Sequence, residues 1–332
     1  MRIGLRADGS ETIGAGHVVR QLSIAQFLIR QEADVFLIGD LKGPQWLKNL
    51  VKKQKRLNFV PVANADFRPE SIKKLQLNSL LIDSYHLSQI ELSKLEGCVE
   101  KVGVMLDGPQ QELSGSIAFA PAFDRKAEWF AHARKRFAHF YGGPEYFVIR
   151  EEVAELKSSY SRLAAPNSLA KIVISAGGGQ SQEEELILRA CLEIQKPIRF
   201  DIFFPPSQAL LDQIAKSTHE VLVHEKGAAF LDLVAGADLT ISSAGSVAAE
   251  LLYLRTPAIF VPVAPNQFEN AHSIRRLGAG KVFWPKLPAF ATELSTAVVA
   301  VIRGQYPTFS ETMLIDVHGS KRISQAMLPF PR

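Results

Sequence analysis

The chain has 332 residues, 47% hydrophobic and 22% charged, with a formal net charge of +4. That length suits two globular domains of about 150 residues each. The mild positive balance fits anionic small substrates and is too weak to argue for nucleic acid.

Cys98 and Cys191 stand far apart with no CxxC or Cys/His pattern, which argues against a disulfide framework or a structural zinc. No apolar run approaches the roughly 18 residues of a membrane span, and no signal peptide precedes the first strand pattern, so a soluble, cytoplasmic protein is expected.

Arg2 to Ala7 reads as a short buried strand. It leads into a glycine-broken run, Ile13-Gly14-Ala15-Gly16-His17, after which Val18, Leu22, Ala25 and Ile29 recur at helical spacing. A strand, a Gly-rich loop and a helix in that order gather backbone N–H groups at a helix N-terminus, where negative charge is favoured. His17 stands at that start. The dipole disfavours imidazolium, so the neutral ring that a general base needs is expected there. Gly14 and Gly16 let substrate and water approach closely, and Arg20, one turn on, can steady a phosphate or hold the His17 pocket. The plainer alternative is a loop histidine that only caps the helix.

Further strand patterns follow at 33–39, 57–62, 79–85, 102–107 and 116–121. Between them, Trp46 to Arg56 and Arg125 to Arg136 are basic and amphipathic. Each suits either a weak contact with an anionic membrane surface or an ordinary solvated helix face. Residues 150–168 carry charges, serines and a proline with weak periodicity, so the domain link is expected there, dividing the chain into 1–152 and 153–332. Strand patterns resume at 171–179, 199–204, 220–225, 238–243 and 257–263. Strands alternating with helices imply an α/β chain of two doubly wound, Rossmann-like domains facing a cleft. Ligands in such domains sit beyond the carboxyl ends of the strands.

The second half carries its own motif, Ser243-Ala244-Gly245-Ser246, directly after a strand. Small residues at a strand-to-helix turn let a diphosphate reach backbone N–H groups. Glu250 lies one turn further on the same face as Ser246, where its carboxylate can accept both hydroxyls of a ribose. Taken alone, a plain turn followed by an exposed glutamate fits as well. Asn266, Gln267 and Asn270 follow the next strand in a polar turn that can bind hydroxyls or phosphates, or cap the next helix. No metal-ligand spacing stands out, so neither metal nor cofactor is expected.

The run SAGSVAAELLYLRTPAIFVPVAPNQFENA resembles the nucleotide half of GT-B glycosyltransferases such as MurG. RADGSETIGAGHVVRQLSIAQFL, LIDSYHL and GGPEYFVIREEV are similar to the PseG/SpsG-like UDP-sugar hydrolases. The resemblance implies a GT-B fold and a UDP-sugar substrate, an amino or deoxy sugar of surface or spore-coat polysaccharide, with polysaccharide-assembly partners. His17 would then activate the water that attacks the anomeric carbon. Tyr85 would border the sugar, Arg150 and Glu250 would contact the nucleotide, and Asn266 would lie near sugar or phosphates. The chain departs from that pattern at Asp107-Gly108, at Gly177-Gly178-Gly179-Gln180 and at Asp83-Ser84-Tyr85. Two alternatives stay open: a GT-B glycosyltransferase using the same donor, and a non-catalytic sugar-nucleotide-binding scaffold.

Overall fold

The computed structural model describes residues 1–10, 13–63, 66–109, 111–159, 169–176, 182–225, 230–305 and 315–328. They form two compact units, Met1–Glu151 with Met313–Arg332, and Glu152–Thr312.

The first unit runs β1 (Arg2–Ala7), α1 (Gly16–Arg30), β2 (Asp34–Gly39), α2 (Gln45–Lys52), β3 (Leu57–Pro61), α3 (Pro69–Lys73) and β4 (Ser79–Asp83). It continues with α4 (Gln89–Glu96), β5 (Lys101–Met105), β6 (Gly115–Ala120), α5 (Glu128–Arg134) and β7 (Phe137–Gly142). Its described strands form one parallel sheet in the order β3-β2-β1-β4-β5-β6-β7. Inner strands carry runs such as Val35–Ile38 and Leu80–Ile82, apolar at successive positions because helices cover both faces of a parallel sheet. On one face Val18, Leu22, Ala25 and Leu28 of α1 pack over Leu5, Val35 and Leu37. On the other, Ile38, Leu80, Ile82 and Val104 meet Ile72, Leu92 and Leu95. Strand order reverses between β1 and β4, so their carboxyl ends open on the switch point of the sheet.

The helix α6 (Glu151–Ser159) begins where the two units divide. Nine residues of the stretch read as a link are therefore helical, with Val153 buried, and residues 160–168 lie outside the described residues. The second unit then runs β8 (Ala170–Ser175), α7 (Gln182–Leu192), β9 (Ile198–Ile202), α8 (Gln208–Lys216), β10 (Glu220–Val223) and α9 (Phe230–Ala235). After these come β11 (Leu239–Ser242), α10 (Ser246–Leu254), β12 (Ala258–Phe260), α11 (Phe268–Arg276), β13 (Lys281–Val282) and α12 (Phe290–Ile302). Its described strands form a second parallel sheet, β10-β9-β8-β11-β12-β13, whose switch point lies between β8 and β11.

The last helix, α13 (Gly319–Met327), belongs to the first unit. Ile323 and Met327 are buried in the core beneath α1. Ser79 Oγ donates to the Met327 carbonyl at 2.7 Å, and Lys101 Nζ donates to those of Ala326 and Leu328 at 3.1 and 2.6 Å. A division that gives all of 153–332 to the second domain is thereby corrected.

No helix among the described residues is long and apolar enough to cross a membrane. The two basic stretches form α2 and α5, which bury Leu47, Val51, Phe130 and Ala133. Trp46 and Trp129 pack against the first unit's core instead of projecting from it.

Candidate functional site

The loop from β1 to α1 is built tightly. Gly9 N–H donates to the Asp40 carbonyl at 3.0 Å, and Gly14 N–H to that of Ser10 at 2.8 Å. Gly14 has φ +83°, a left-handed conformation that glycine adopts without steric cost. This turn delivers His17 into the first turn of α1, 6% exposed, beneath the carboxyl ends of β1 and β4.

There His17 meets a carboxylate that sequence spacing did not reveal. Its Nδ1 lies 2.5 Å from Asp83 Oδ1, at the last position of β4. With an ionised Asp83 as acceptor, Nδ1 carries the proton and Nε2 is left for chemistry. Arg20 locks the pair: Nε and Nη2 donate to Asp83 at 2.8 and 2.7 Å, while Nη1 and Nη2 donate to Asp107 at 2.6 and 2.9 Å. Tyr85 Oη donates to Asp107 at 2.8 Å, and its ring meets the edge of His17 with centroids 4.5 Å apart. Gln21 Nε2 donates to Asp83 at 3.4 Å.

The charges of this cluster correct the expectation of a neutral histidine. Burial disfavours imidazolium, but the Asp83 carboxylate and its hydrogen bond, helped by Asp107, outweigh burial and the opposing Arg20. The His17 pKa is raised above its ordinary value. Burial also pushes Asp83 upward, yet Arg20 and His17 together hold its carboxyl well below the usual carboxylate range. One guanidinium against two carboxylates leaves one negative charge, which a proton on His17 neutralises. The dipole at the start of α1 is thus the weaker influence. A paired carboxylate 2.5 Å away dominates a helix end worth typically 0.3–1 kcal/mol.

The same folding brings together a set that the sequence reading did not foresee. His17, Asp83 and Asp107 offer ligand atoms within 4.8 Å of one another, as a divalent cation would need. Arg20, however, already spends its guanidinium on both carboxylates, and Asp83 also holds Nδ1 of His17. The chemistry of this donor set is satisfied by an internal cation, and a metal would have to displace Arg20.

Sequence predicted His17, Gly14, Gly16, Arg20 and Tyr85 as site residues, and the first unit gathers all five. Asp83 and Asp107 were visible only as departures from a family pattern, because their partnership depends on β1, β4 and β5 being neighbours. Arg150 stands near the end of the first unit's leading segment, half-buried, immediately before α6.

In the second unit, β11 ends at Ser242, and Ser243-Ala244-Gly245 turns the chain into α10, whose first residue is Ser246. Ser243 and Ala244 are buried, and Glu250 is 5% exposed, so the carboxylate is not the exposed glutamate of a plain turn. The polar turn after β12 packs on this one. Asn270 Nδ2 donates to the Ala244 carbonyl at 3.1 Å, and a Cβ placed on Gly245 would lie 3.7 Å from Gln267 Nε2. Gln267 is fixed by accepting from Val263 N–H at 3.0 Å, and Asn266 precedes it in the short 3-10 turn Pro265–Gln267. The second unit therefore joins its two predicted motifs at the carboxyl ends of β11 and β12.

No protein-family model matches the chain. An uncharacterized protein of Methanocaldococcus jannaschii is 21% identical over 276 residues, 78% of this chain and 55% of that protein. The chain thus spans about half the length of the curated relative it matches. Among solved structures, MurG of Acinetobacter baumannii superposes with a TM-score of 0.64 at 14% identity over 98% of this chain and 99% of that one. The fold is GT-B. Phytolacca americana UGT2, solved with UDP-2-fluoro-glucose and pterostilbene, gives 0.61 at 12% identity over 98% and 92% of the two chains. A Listeria monocytogenes protein assigned as a UDP-N-acetylglucosamine 2-epimerase gives 0.60 at 9% identity over 98% and 95%. At such identities the likeness establishes architecture alone: two parallel-sheet α/β units of the GT-B kind.

Proposed function

We propose that the chain is a GT-B enzyme that cleaves a UDP-sugar at the anomeric carbon and transfers the sugar to an acceptor hydroxyl, with His17 as the base. The observation that carries this reading is the His17–Asp83 pair, oriented by Arg20 at the switch point of the first unit's sheet. Asp83 fixes Nδ1–H, so Nε2 can take the proton of the attacking hydroxyl, and the carboxylate stabilises the imidazolium that forms. UDP leaves with the bonding electrons, and attack from the opposite side inverts the anomeric centre. Ser243, Ala244, Gly245 and Ser246 would hold the diphosphate at the start of α10, and Glu250 the ribose. Asn266 and Gln267 would meet sugar or phosphate, and Arg150 the nucleotide. Proteins of the same fold, one solved with a UDP-sugar analogue and one assigned as a UDP-N-acetylglucosamine 2-epimerase, support this assignment of the donor.

Hydrolysis is the second reading, in which water replaces the acceptor hydroxyl at the same base. It is supported by the likeness of residues 6–28, 81–87 and 142–153 to the PseG/SpsG-like hydrolases. The site would then act on an amino or deoxy sugar of a surface or spore-coat polysaccharide. Incubating the protein with a panel of UDP-hexoses, with and without sugar-alcohol acceptors, separates the readings. UDP release that requires an acceptor supports transfer, release in buffer alone supports hydrolysis, and no release with either refutes both.

A further inference from the structure

Asp8 follows the carboxyl end of β1 and is 6% exposed. Its Oδ1 accepts from Arg6 Nη1 at 2.6 Å and from Asp40 N–H at 2.8 Å, so the carboxylate is held in one orientation. Arg6, itself 1% exposed, is pinned by the Ile38 carbonyl and lies over the Phe67 ring. Among the described residues nothing donates to Asp8 Oδ2. A buried carboxylate oxygen without a donor is costly, and structural arginine–carboxylate pairs commonly use both oxygens. Here the second oxygen is withheld from that pairing. Asp8 also lines a small pocket with His17, Asp83 and Tyr85.

We propose that Asp8 is a substrate-positioning residue whose Oδ2 accepts a hydrogen bond from a hydroxyl or amide N–H of the sugar held beside His17. The inference rests on the proposed action on a UDP-sugar and adds to it which part of the donor enters this pocket. An ionised carboxylate only accepts hydrogen bonds and repels phosphate. Arg20, the cation beside His17, is committed to Asp83 and Asp107. The pocket therefore selects the neutral, donor-bearing sugar and rejects the diphosphate, and a sugar lacking that hydroxyl or N–H is discriminated against because Oδ2 stays unpaired.

Asp8→Asn is an informative variant. Two donors converge on Oδ1, so the amide must put its oxygen there and its NH2 in the place of Oδ2, where it faces a sugar N–H donor to donor and meets a hydroxyl only as acceptor, with the charge-assisted bond lost in both cases. Affinities of wild type and Asp8→Asn are measured by calorimetry for UDP and for UDP-glucose, UDP-galactose, UDP-N-acetylglucosamine and UDP-N-acetylgalactosamine. The proposal predicts that the wild type binds at least one UDP-sugar more tightly than UDP. Asp8→Asn should lose that gain, about tenfold, while its UDP affinity stays within about twofold. A wild-type sugar gain that survives in Asp8→Asn overturns the proposal alone, as does a wild type that binds UDP and UDP-sugars equally. An equal loss of UDP affinity in the variant also overturns it. A wild type that binds neither UDP nor any UDP-sugar overturns the donor reading and this inference with it. Should Asp8→Asn not fold, a crystal structure of the wild type with the tightest of these ligands decides. A sugar donor within about 3.2 Å of Oδ2 is expected, and a bound sugar with none there contradicts the proposal.

Discussion

At the residue scale, the chemistry proposed for the first unit rests on a four-group charge cluster more than on a lone histidine. Replacing Asp83 by Asn removes the carboxylate that outweighs burial, so the His17 pKa should fall from above to below its ordinary value. An NMR titration of the His17 ring checks this, and an unchanged midpoint would remove Asp83 as the cause. The same variant should slow UDP release by roughly 10²–10⁴-fold, the range for a disoriented or lost general base. Asp83→Ala should also destabilise the fold by about 1–3 kcal/mol, because Nε–H and Nη2–H of Arg20 and Nδ1 of His17 lose their buried acceptor. Stability follows pH with opposite signs at the two partners. His17, with a raised folded pKa, contributes fully below its unfolded value near 6.5 and loses that contribution as pH rises through the folded pKa. Asp83, with a depressed one, contributes above its unfolded value near 3.9 and loses it as pH falls through the folded pKa. The stability gap between wild type and His17→Gln, measured by urea denaturation, should be widest between about pH 4 and 6.5 and shrink above that window. A gap constant from about pH 4 to 9 would contradict the pairing.

At the scale of elements, two glycines test how the loops position the cluster. A Cβ on Gly14 would meet nothing within 4 Å, but its φ of +83° disfavours any other residue, so Gly14→Ala should cost only about 1–2 kcal/mol. A Cβ on Gly39 would run into the Ala7 carbonyl, where β1 and β2 end beneath Asp8 and Asp40. Gly39→Ala should therefore lower the melting temperature clearly more than Gly14→Ala, and the reverse order would show that loop packing is misread. The buried strands were legible because runs such as Val35–Ile38 of β2 and Leu80–Ile82 of β4 are apolar throughout, whereas two edge strands were not. In β7 only Phe137 is buried, and the run Phe137 to Gly142 alternates neither in burial nor in polarity, so no period of two marks it. The two residues of β13 are too few to carry a period. The nine helical residues of α6 lack an apolar stripe, and their charges and serines read as a link. Of the candidate residues, His17 in the first unit and the Ser243–Ser246 turn in the second could each be read from local order, strand then glycine then helix. Asp83 and Asp107 lie 66 and 90 residues beyond His17 and become partners only through the β1-β4-β5 order.

At the scale of the molecule, the first unit is discontinuous: its last helix arrives after the whole second unit. Lys101 and Ser79 satisfy the carbonyls at the end of α13, and Met327 fills the space that Gly103 leaves on β5. Ending the chain at residue 312 should thus destabilise the first unit and expose β4 and β5, the strands that carry Asp83 and lead to Asp107. UDP affinity, assigned to the second unit, should persist in that truncated chain while UDP release falls, and equal loss of both would contradict the assignment. The measurement closest to the central claim compares His17→Ala with wild type for UDP affinity by calorimetry and for UDP release from the UDP-hexose panel. UDP affinity within about twofold of wild type is expected, with release slowed by roughly 10²–10⁴-fold. A His17→Ala protein that releases UDP at near the wild-type rate would contradict that claim.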